Sequence, residues 1–427
     1  MELCGATWVA QMLCPIRANM ETVRQRSHNP SAALSGLQYF SMELKAIQKA
    51  LREQDFDAWL FYDHHRRDEI AYSILGLPEL HVTRRWFYLI PAEGEPVKLN
   101  HRVEPKHLAT LPGVQQHYGA WRELHEKLAA MLKPYKRIAM QYSPNNDIMY
   151  VSLVDGGMLE LIRSFGVEVG TSADLVSRFE ATLTDDQIAT HFLARDAMDA
   201  IMAAAFKEIG HRVRHGGWDE WGVRQWIGEA FGREHLITDD LPIVGANENA
   251  GNPHYEPTSE IHKPIHEGDL VLLDMWAKKD TPGAVYYDIT WTGILGEPSA
   301  KHEEVFRIVR DARKAGSQTV IDAFASGRRL EGWEVDEVTR TVIDNADYGE
   351  WFVHRTGHSI GTSVHGNGAN MDNLETKDTR QILTNTLFSI EPGIYLPEFG
   401  VRSEVDVLVH NGVAQVTGRQ QEELVIF

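Results

Sequence analysis

The sequence predicts two units in tandem: an N-terminal α/β domain over residues 36–175, then an α+β domain over residues 180–427 with an internal pseudo-twofold repeat. Three observations predict it. At 427 residues the chain exceeds what one core usually holds. From Glu43 onward, helical and extended patterns alternate. After Thr184 the order is helix pair, hairpin, helix pair, hairpin, as in a duplicated unit, although no self-similarity at a fixed period accompanies it.

In the first unit, Leu44, Ile47, Ala50 and Leu51 recur at helical spacing and lead into the extended run Ala58 to Tyr62. Further strands are expected at Trp86–Ile90, Pro96–Leu99, Arg137–Gln141 and Val167–Val169, with helices at Ile70–Leu75, Trp121–Leu132 and Gly156–Ser164. No phosphate loop or dinucleotide fingerprint occurs among them. Thr184 and Gln187 have the spacing of a capping box and open a long helix toward Ile209, with Ala189, Leu193, Ala197, Ala200 and Ala204 on one face. A helix from Asp219 to Phe231 offers Trp221, Val223, Trp226 and Ile227 as core candidates, and the polar segment Gly245–Pro257 carries His254-Tyr255. After the first hairpin, His302–Ala325 and Val335–Ala346 read as amphipathic helices.

Hydrophobic content of 43% and charged content of 24% are ordinary for a globular protein. A net charge of −19 argues against nucleic acid as a partner, since phosphate contacts need clustered Lys and Arg. The two cysteines, Cys4 and Cys14, supply neither a disulfide framework nor a thiolate zinc cluster, so any metal must be held by oxygen and imidazole. Leu3–Ile16 is mildly apolar but follows Glu2 with no basic residue before it, a poor secretory signal, and no run of about 18 apolar residues is long enough to span a membrane. The expectation is a cytoplasmic protein without a membrane partner, whose residues 1–35 form a poorly ordered tail.

The chemistry concentrates in the two hairpins. The first reads Val271-Leu272-Leu273-Asp274, a turn at Asp280-Thr281-Pro282-Gly283, then Tyr286-Tyr287-Asp288-Ile289-Thr290. The second reads Leu387-Phe388-Ser389-Ile390-Glu391, a turn at Pro397–Gly400, then Val401-Arg402-Ser403-Glu404. Each turn lies midway between its two acids, so each pair is expected to face across adjacent strands. Singly, each acid reads as a turn or hydrogen-bonding residue; four at matching positions in apolar strands do not, because buried carboxylates are costly unless paired or bound to metal. His358 alone would read as a core histidine, yet His354, His358 and His365 share a stretch with Gly357, Gly361 and Gly366. Carboxylates plus one imidazole suit Mn²⁺, Zn²⁺, Co²⁺ or Fe²⁺. Two such ions about 3.5 Å apart can share a water and lower its pKa from about 15.7 toward about 7.

The segments Gly268–Asp274, Tyr287–Thr292, His354–His365, Ser389–Gly393 and Gly400–Glu404 resemble, in order, the motif blocks of the pita-bread metallopeptidases, the group of methionine aminopeptidase, aminopeptidase P, prolidase and creatinase. The likeness covers residues 185–427; the N-terminal region is similar to the creatinase-type α/β domain by position and size. The resemblance implies that Asp274 chelates one divalent ion, that His358 and Glu391 hold a second, and that Asp288 and Glu404 bridge them, with Mn²⁺ the expected metal. It implies that Glu391 moves protons and that His254 and His365 contact the substrate, with His354 and Arg402 also in the catalytic set. Arg402 reads equally as a partner that orients the acids. The implied activity is hydrolysis of Xaa-Pro bonds in a small peptide with proline second, of the aminopeptidase P or prolidase type, by a homodimer. A metal-dependent lyase or esterase, or a non-catalytic peptide-binding module, are the alternatives on the same scaffold. A dipeptidase would need a cation for the substrate's free carboxylate, and Lys377 and Arg380 lie in the interval where one is expected, although Arg380 also reads as a residue that orients the strand. Three departures from the family pattern bear on substrate preference: a longer interval between Asp274 and Asp288, Trp291 where arginine is common, and Gly366 where an acid is frequent.

Overall fold

Alternating helices and strands in the first third assemble one sheet covered on both faces. The computed structural model describes residues 44–78 and 81–427, so the expected tail over residues 1–35 lies outside the described residues. A helix described over residues 44–53 (α1) leads into β1 (Ala58–Asp63), α2 (Glu69–Leu75), β2 (Trp86–Pro91), β3 (Val97–His101) and β4 (Val114–Tyr118). Then follow α3 (Trp121–Leu132), β5 (Arg137–Met140), α4 (Gly156–Ser164), β6 (Glu168–Thr171) and α5 (Ala173–Glu180). The strand order is β4-β3-β2-β1-β5-β6. β1 is buried throughout because it has a core on each side: Trp59 and Phe61 face α1, α2 and α5, while Leu60 and Tyr62 face α3 and α4. The edge strand β4, Val-Gln-Gln-His-Tyr, escaped the sequence pattern because it is largely solvent-facing and has no apolar alternation to read.

The second unit comprises α6 (Asp185–His215), β7 (Trp218–Asp219), α7 (Glu220–Arg233), β8 (Leu236–Ile237), β9 (Ile243–Ala246), β10 (Pro264–Ile265), β11 (Leu270–Lys279) and β12 (Tyr287–Ile294). It continues with α8 (Ala300–Ser326), α9 (Gly332–Asp344), β13 (Ser359–Ile360), β14 (Thr386–Ile390), β15 (Gly393–Tyr395), β16 (Gly400–Arg402), β17 (Val405–His410), β18 (Val413–Thr417) and β19 (Val425–Ile426). The capping box forms: Gln187 N donates to Thr184 Oγ1 at 3.3 Å and Thr184 N to Gln187 Oε1 at 3.0 Å. The alanine face of α6 turns largely to solvent; Ile188, Met198, Ile201, Phe206 and Ile209 form the buried stripe beside it. Larger side chains remove more apolar surface from water than alanines do, so they set the rotation of the helix. On α7, Val223 and Ile227 are buried, with Trp226 half-buried against the same core.

Helices α6 and α7 cover the β11–β12 hairpin through one apolar core, and α8 covers the β14–β17 hairpin through another. Each half thus backs a hairpin with helices and leaves the hairpin's other face toward the opposite half, the pita-bread arrangement with its pseudo-twofold repeat. The halves meet along β12, where Glu404 N donates to Thr290 O at 3.1 Å and Asp288 N to Asp406 Oδ2 at 3.0 Å. No helix among the described residues is long and apolar enough to cross a membrane.

Candidate metal centre

Strand register decides which acids meet. In the second hairpin the ladders β14–β17 and β15–β16 hold one register, Ile390 with Val405 and Gly393 with Arg402, which leaves Glu391 level with Glu404 in the gap between them. The gap exists because Pro392 has no N–H to donate and Glu391 N turns to Thr356 O at 2.7 Å. In the first hairpin the expectation needs correction. Asp274 pairs with Thr290 and Trp276 with Asp288, so the two acids lie diagonally on one face instead of directly opposite. The turn closes through Ala284 N to Thr281 O at 3.1 Å, which moves the ladder's centre to Pro282. A one-residue shift of centre moves each partner by two, and a period of two keeps both acids on the same side.

A cavity of about 530 Å³ receives these faces, and Asp274, Asp288, His358, Glu391 and Glu404 all line it, together with His254, His354, His365 and Arg402. Within it, Asp288, His358 and Glu404 offer donor atoms within 4.8 Å of one another. His358 Nε2 lies 3.5 Å from both Asp288 Oδ2 and Glu391 Oε1. His358 itself is placed by Gly357, where a Cβ would stand 1.9 Å from the Ser389 carbonyl oxygen, and by its backbone N–H on Ser389 Oγ at 3.0 Å. Ser389 Oγ in turn reaches Glu391 Oε1 at 3.2 Å.

Arg402 is the counter-ion inside the cluster. Its Nη2 pairs with Asp274 Oδ2, its Nε donates to Thr290 Oγ1 at 3.1 Å and its Nη1 to the Tyr395 hydroxyl at 2.9 Å. His354 completes the chain: its Nδ1 donates to Arg355 O at 2.7 Å, so its Nε2 accepts the Tyr395 hydroxyl at 2.6 Å. Thr290 Oγ1 donates onward to Glu404 Oε2 at 2.7 Å. Replacing Arg402 by Met should therefore strand Asp274 as an unpaired buried charge and cost about 3–5 kcal/mol of stability in the metal-free protein, measured by chemical denaturation. A change under about 1 kcal/mol would show that the pair holds nothing together.

Burial dominates the electrostatics. It raises Asp288, Glu391 and Glu404 above the ordinary carboxylate range, with Asp288 and Asp274 adding like-charge repulsion. It pushes His354 and His365 down to about 3 and lowers His358, so these rings are neutral at pH 7. The His358 and His365 rings stand edge to face at 4.4 Å, and His254 is exposed at the rim. Its neighbour Tyr255 anchors that rim loop through a 2.7 Å bond to the buried Glu220 at the start of α7.

Three residues of this network were not singled out from the sequence. Asp406 is fully buried on β17, with Oδ2 on the Asp288 backbone and Oδ1 without a partner. Its signal, an acid inside Val405-Asp406-Val407-Leu408-Val409, is the one that marked the other four. Thr290 and Tyr395 carried no signal, because a hydroxyl on a strand is unremarkable until its partners are known. Lys377 and Arg380 are corrections: Lys377 sits over the Trp333 ring at 4.2 Å, and Arg380 is buried in a fork with Asp378, both away from the cavity wall. The departures also find their reasons. The longer Asp274–Asp288 interval carries Lys278 and Lys279 out to pair with β8. Trp291 points to the opposite face of β12, against the core beneath α6. At Gly366 a Cβ would crowd Ser359, standing 2.9 Å from its Oγ and 3.2 Å from its carbonyl oxygen, which disfavours a larger residue there.

Residues 193–411 match the model of metallopeptidase family M24. An Xaa-Pro dipeptidase of Lactobacillus helveticus is 38% identical over 163 residues, 38% of this chain and 40% of that protein. An Xaa-Pro dipeptidase of Pyrococcus furiosus is 28% identical over 259 residues, 59% of this chain and 67% of that protein. The chain spans about half the length or less of the first curated relatives it matches. Among solved structures, dipeptidase PepE from Mycobacterium ulcerans superposes with a TM-score of 0.67 at 22% identity, covering 91% of this chain and 98% of that one. The Xaa-Pro dipeptidase from Bacillus anthracis gives 0.60 at 22%, covering 91% and 99%; at these identities the likeness establishes the fold. The family match takes in both acid-bearing hairpins and the histidine segment between them, over more than half the chain, and the protein belongs to metallopeptidase family M24.

Proposed function

We propose that this protein is a binuclear metal-dependent peptidase that cleaves Xaa-Pro bonds in small peptides. The observation that carries the reading is the direction of the His358 ring. Its Nδ1 donates to Ser359 O at 3.3 Å, so the Nε2 lone pair faces the oxygens of Asp288 and Glu391, each 3.5 Å away. Lone pairs aimed at one another repel unless a proton or a cation lies among them, and at 3.5 Å these contacts are longer than a hydrogen bond through a shared proton and leave room for a cation. Asp288 Oδ1, buried and without a partner, supports the same reading.

The donor set of Asp274, Asp288, His358, Glu391 and Glu404 fits two hard or borderline divalent ions, and its wealth of carboxylate favours Mn²⁺ over Zn²⁺, Co²⁺ or Fe²⁺. Bound there, the ions supply Lewis acidity that makes a water nucleophilic near neutral pH. The chain's own residues do the rest. Glu391, held by Ser389, carries the proton from the attacking water toward the leaving amine. Neutral His365 and the rim residue His254 offer hydrogen bonds to the scissile carbonyl as charge develops on it. His354, with both nitrogens committed, is a positioning residue acting through Tyr395 and Arg402. The Xaa-Pro dipeptidases among the curated relatives support proline as the second residue.

The test offers Xaa-Pro and Xaa-Pro-Yaa peptides to chelator-treated protein before and after adding Mn²⁺, with release of the first amino acid followed by chromatography. Metal-dependent release from either peptide is expected. Release from neither, with Zn²⁺ and Co²⁺ also tried, would sink the peptidase reading and turn attention to the lyase or esterase class.

A further inference from the structure

We propose that Arg355 captures the free carboxylate of a two-residue substrate, which makes this protein a dipeptidase; this rests on the peptidase reading above. The cavity that holds the candidate metal ligands is strongly acidic: Asp239, Asp240, Glu256 and Glu375 line it in addition to the buried cluster. A substrate carboxylate entering such a cavity is repelled unless the wall carries a cation placed for it. Among the described residues, Arg355 and Arg402 are the arginines on that wall, and no lysine lines it. Arg402 is buried and committed to Asp274, Thr290 and Tyr395.

Arg355 is differently placed. It directly follows His354 and stands three residues before His358, so the backbone that positions the histidines positions it as well. Its Nη1 donates to the hydroxyl of Tyr150, a residue of the N-terminal unit, and this bond fixes one corner of the guanidinium. Its ion-pair partner Glu375 is loosely placed, with Oε2 4.0 Å from Nη1 and a side chain 40% exposed, so the pair leaves much of the charge available. Among the described residues the Nε and Nη2 edge has no hydrogen-bond partner, and that edge matches a carboxylate in a two-bond fork. A longer peptide would present an uncharged amide at this place and gain nothing from it.

The experiment compares a dipeptide with its C-terminal amide on the metal-loaded full chain, using both Xaa-Pro and Xaa-Ala pairs. The acid-over-amide ratio reads Arg355, whereas the proline-over-alanine ratio reads the Xaa-Pro assignment, so the two can fail separately. The wild type is expected to prefer the acid by at least about tenfold in kcat/KM. Arg355→Met should lower kcat/KM for the acid about 10–100-fold, chiefly through KM, and leave the amide within about twofold. Arg355→Lys should restore part of the preference, and Tyr150→Phe, which frees the guanidinium without removing it, should keep most of it. Calorimetric titration of the same acid and amide pairs gives the ratio independently of turnover. Equal losses on acid and amide in Arg355→Met, or a wild type that binds and cleaves the amide as well as the acid, would overturn the proposal.

Discussion

Glu391→Gln is expected to lower kcat by about 10²–10⁴-fold, the range associated with loss of a positioned acid–base group, while the fold survives. The residue stands in the break between two ladders of one hairpin, with its N–H on Thr356 O and its carboxylate beside Ser389 Oγ and His358 Nε2. Glutamine keeps the shape and the backbone bond but cannot take up a proton. The change also removes one charge from the acidic cluster, so metal affinity must be measured alongside kcat. If the metal-loaded variant binds substrate normally and turns over slowly, the proton-transfer role stands. Turnover at the wild-type rate with metal bound would remove Glu391 from the mechanism and leave the other acids to carry it.

The second large effect is on stability. Adding Mn²⁺ to the chelated protein at pH 8 should raise the melting temperature by about 3 °C or more, since ligand at a hundred times its dissociation constant contributes about 2.7 kcal/mol. The pH dependence distinguishes this from a nonspecific salt effect. Asp288, Glu391 and Glu404 have folded-state pKa values raised above the value of about 4 they take in the unfolded chain, with burial as the main cause. Between the unfolded and folded values the unfolded chain has already released protons that the folded one still holds. The metal-free protein should therefore lose stability as pH rises above about 4, until the folded-state groups have also ionised. Below about 4 both states are protonated, the stability sits at its full value and the pH dependence vanishes. Bound metal holds the carboxylates ionised and should flatten the dependence. Glu404→Gln gives the converse: a more stable metal-free protein at pH 8 with a diminished response to Mn²⁺. A melting temperature indifferent to every divalent ion tried would be incompatible with a metal centre here.

What was legible in the sequence follows from how local each cause is. Helix starts were readable, as at Thr184, because a cap involves residues three apart. The apolar strands β1, β2, β5, β11, β12 and β14 were readable because burial on both faces leaves few polar residues in the run. The metal-ligand candidates were readable because an acid within such a run contradicts its surroundings, and Asp406 could have been found in the same way. The edge strand β4 and the rotation of α6 were not, since both depend on what lies opposite.

By itself the sequence determined the fold class, an α/β region followed by an α+β region that repeats its order, and marked carboxylates and imidazole as the candidate metal donors, because composition and periodicity are properties of the chain alone. Only the tertiary structure decided that Asp274 and Asp288 meet diagonally, that Arg402 is spent on Asp274, and that Arg355 rather than Lys377 or Arg380 faces the cavity. The physical reason is that register depends on how a turn closes, as at Ala284 N on Thr281 O, and the pairing of charges on contacts between residues more than a hundred positions apart, such as Arg402 with Asp274 and Thr290 with Glu404, and no local pattern encodes either.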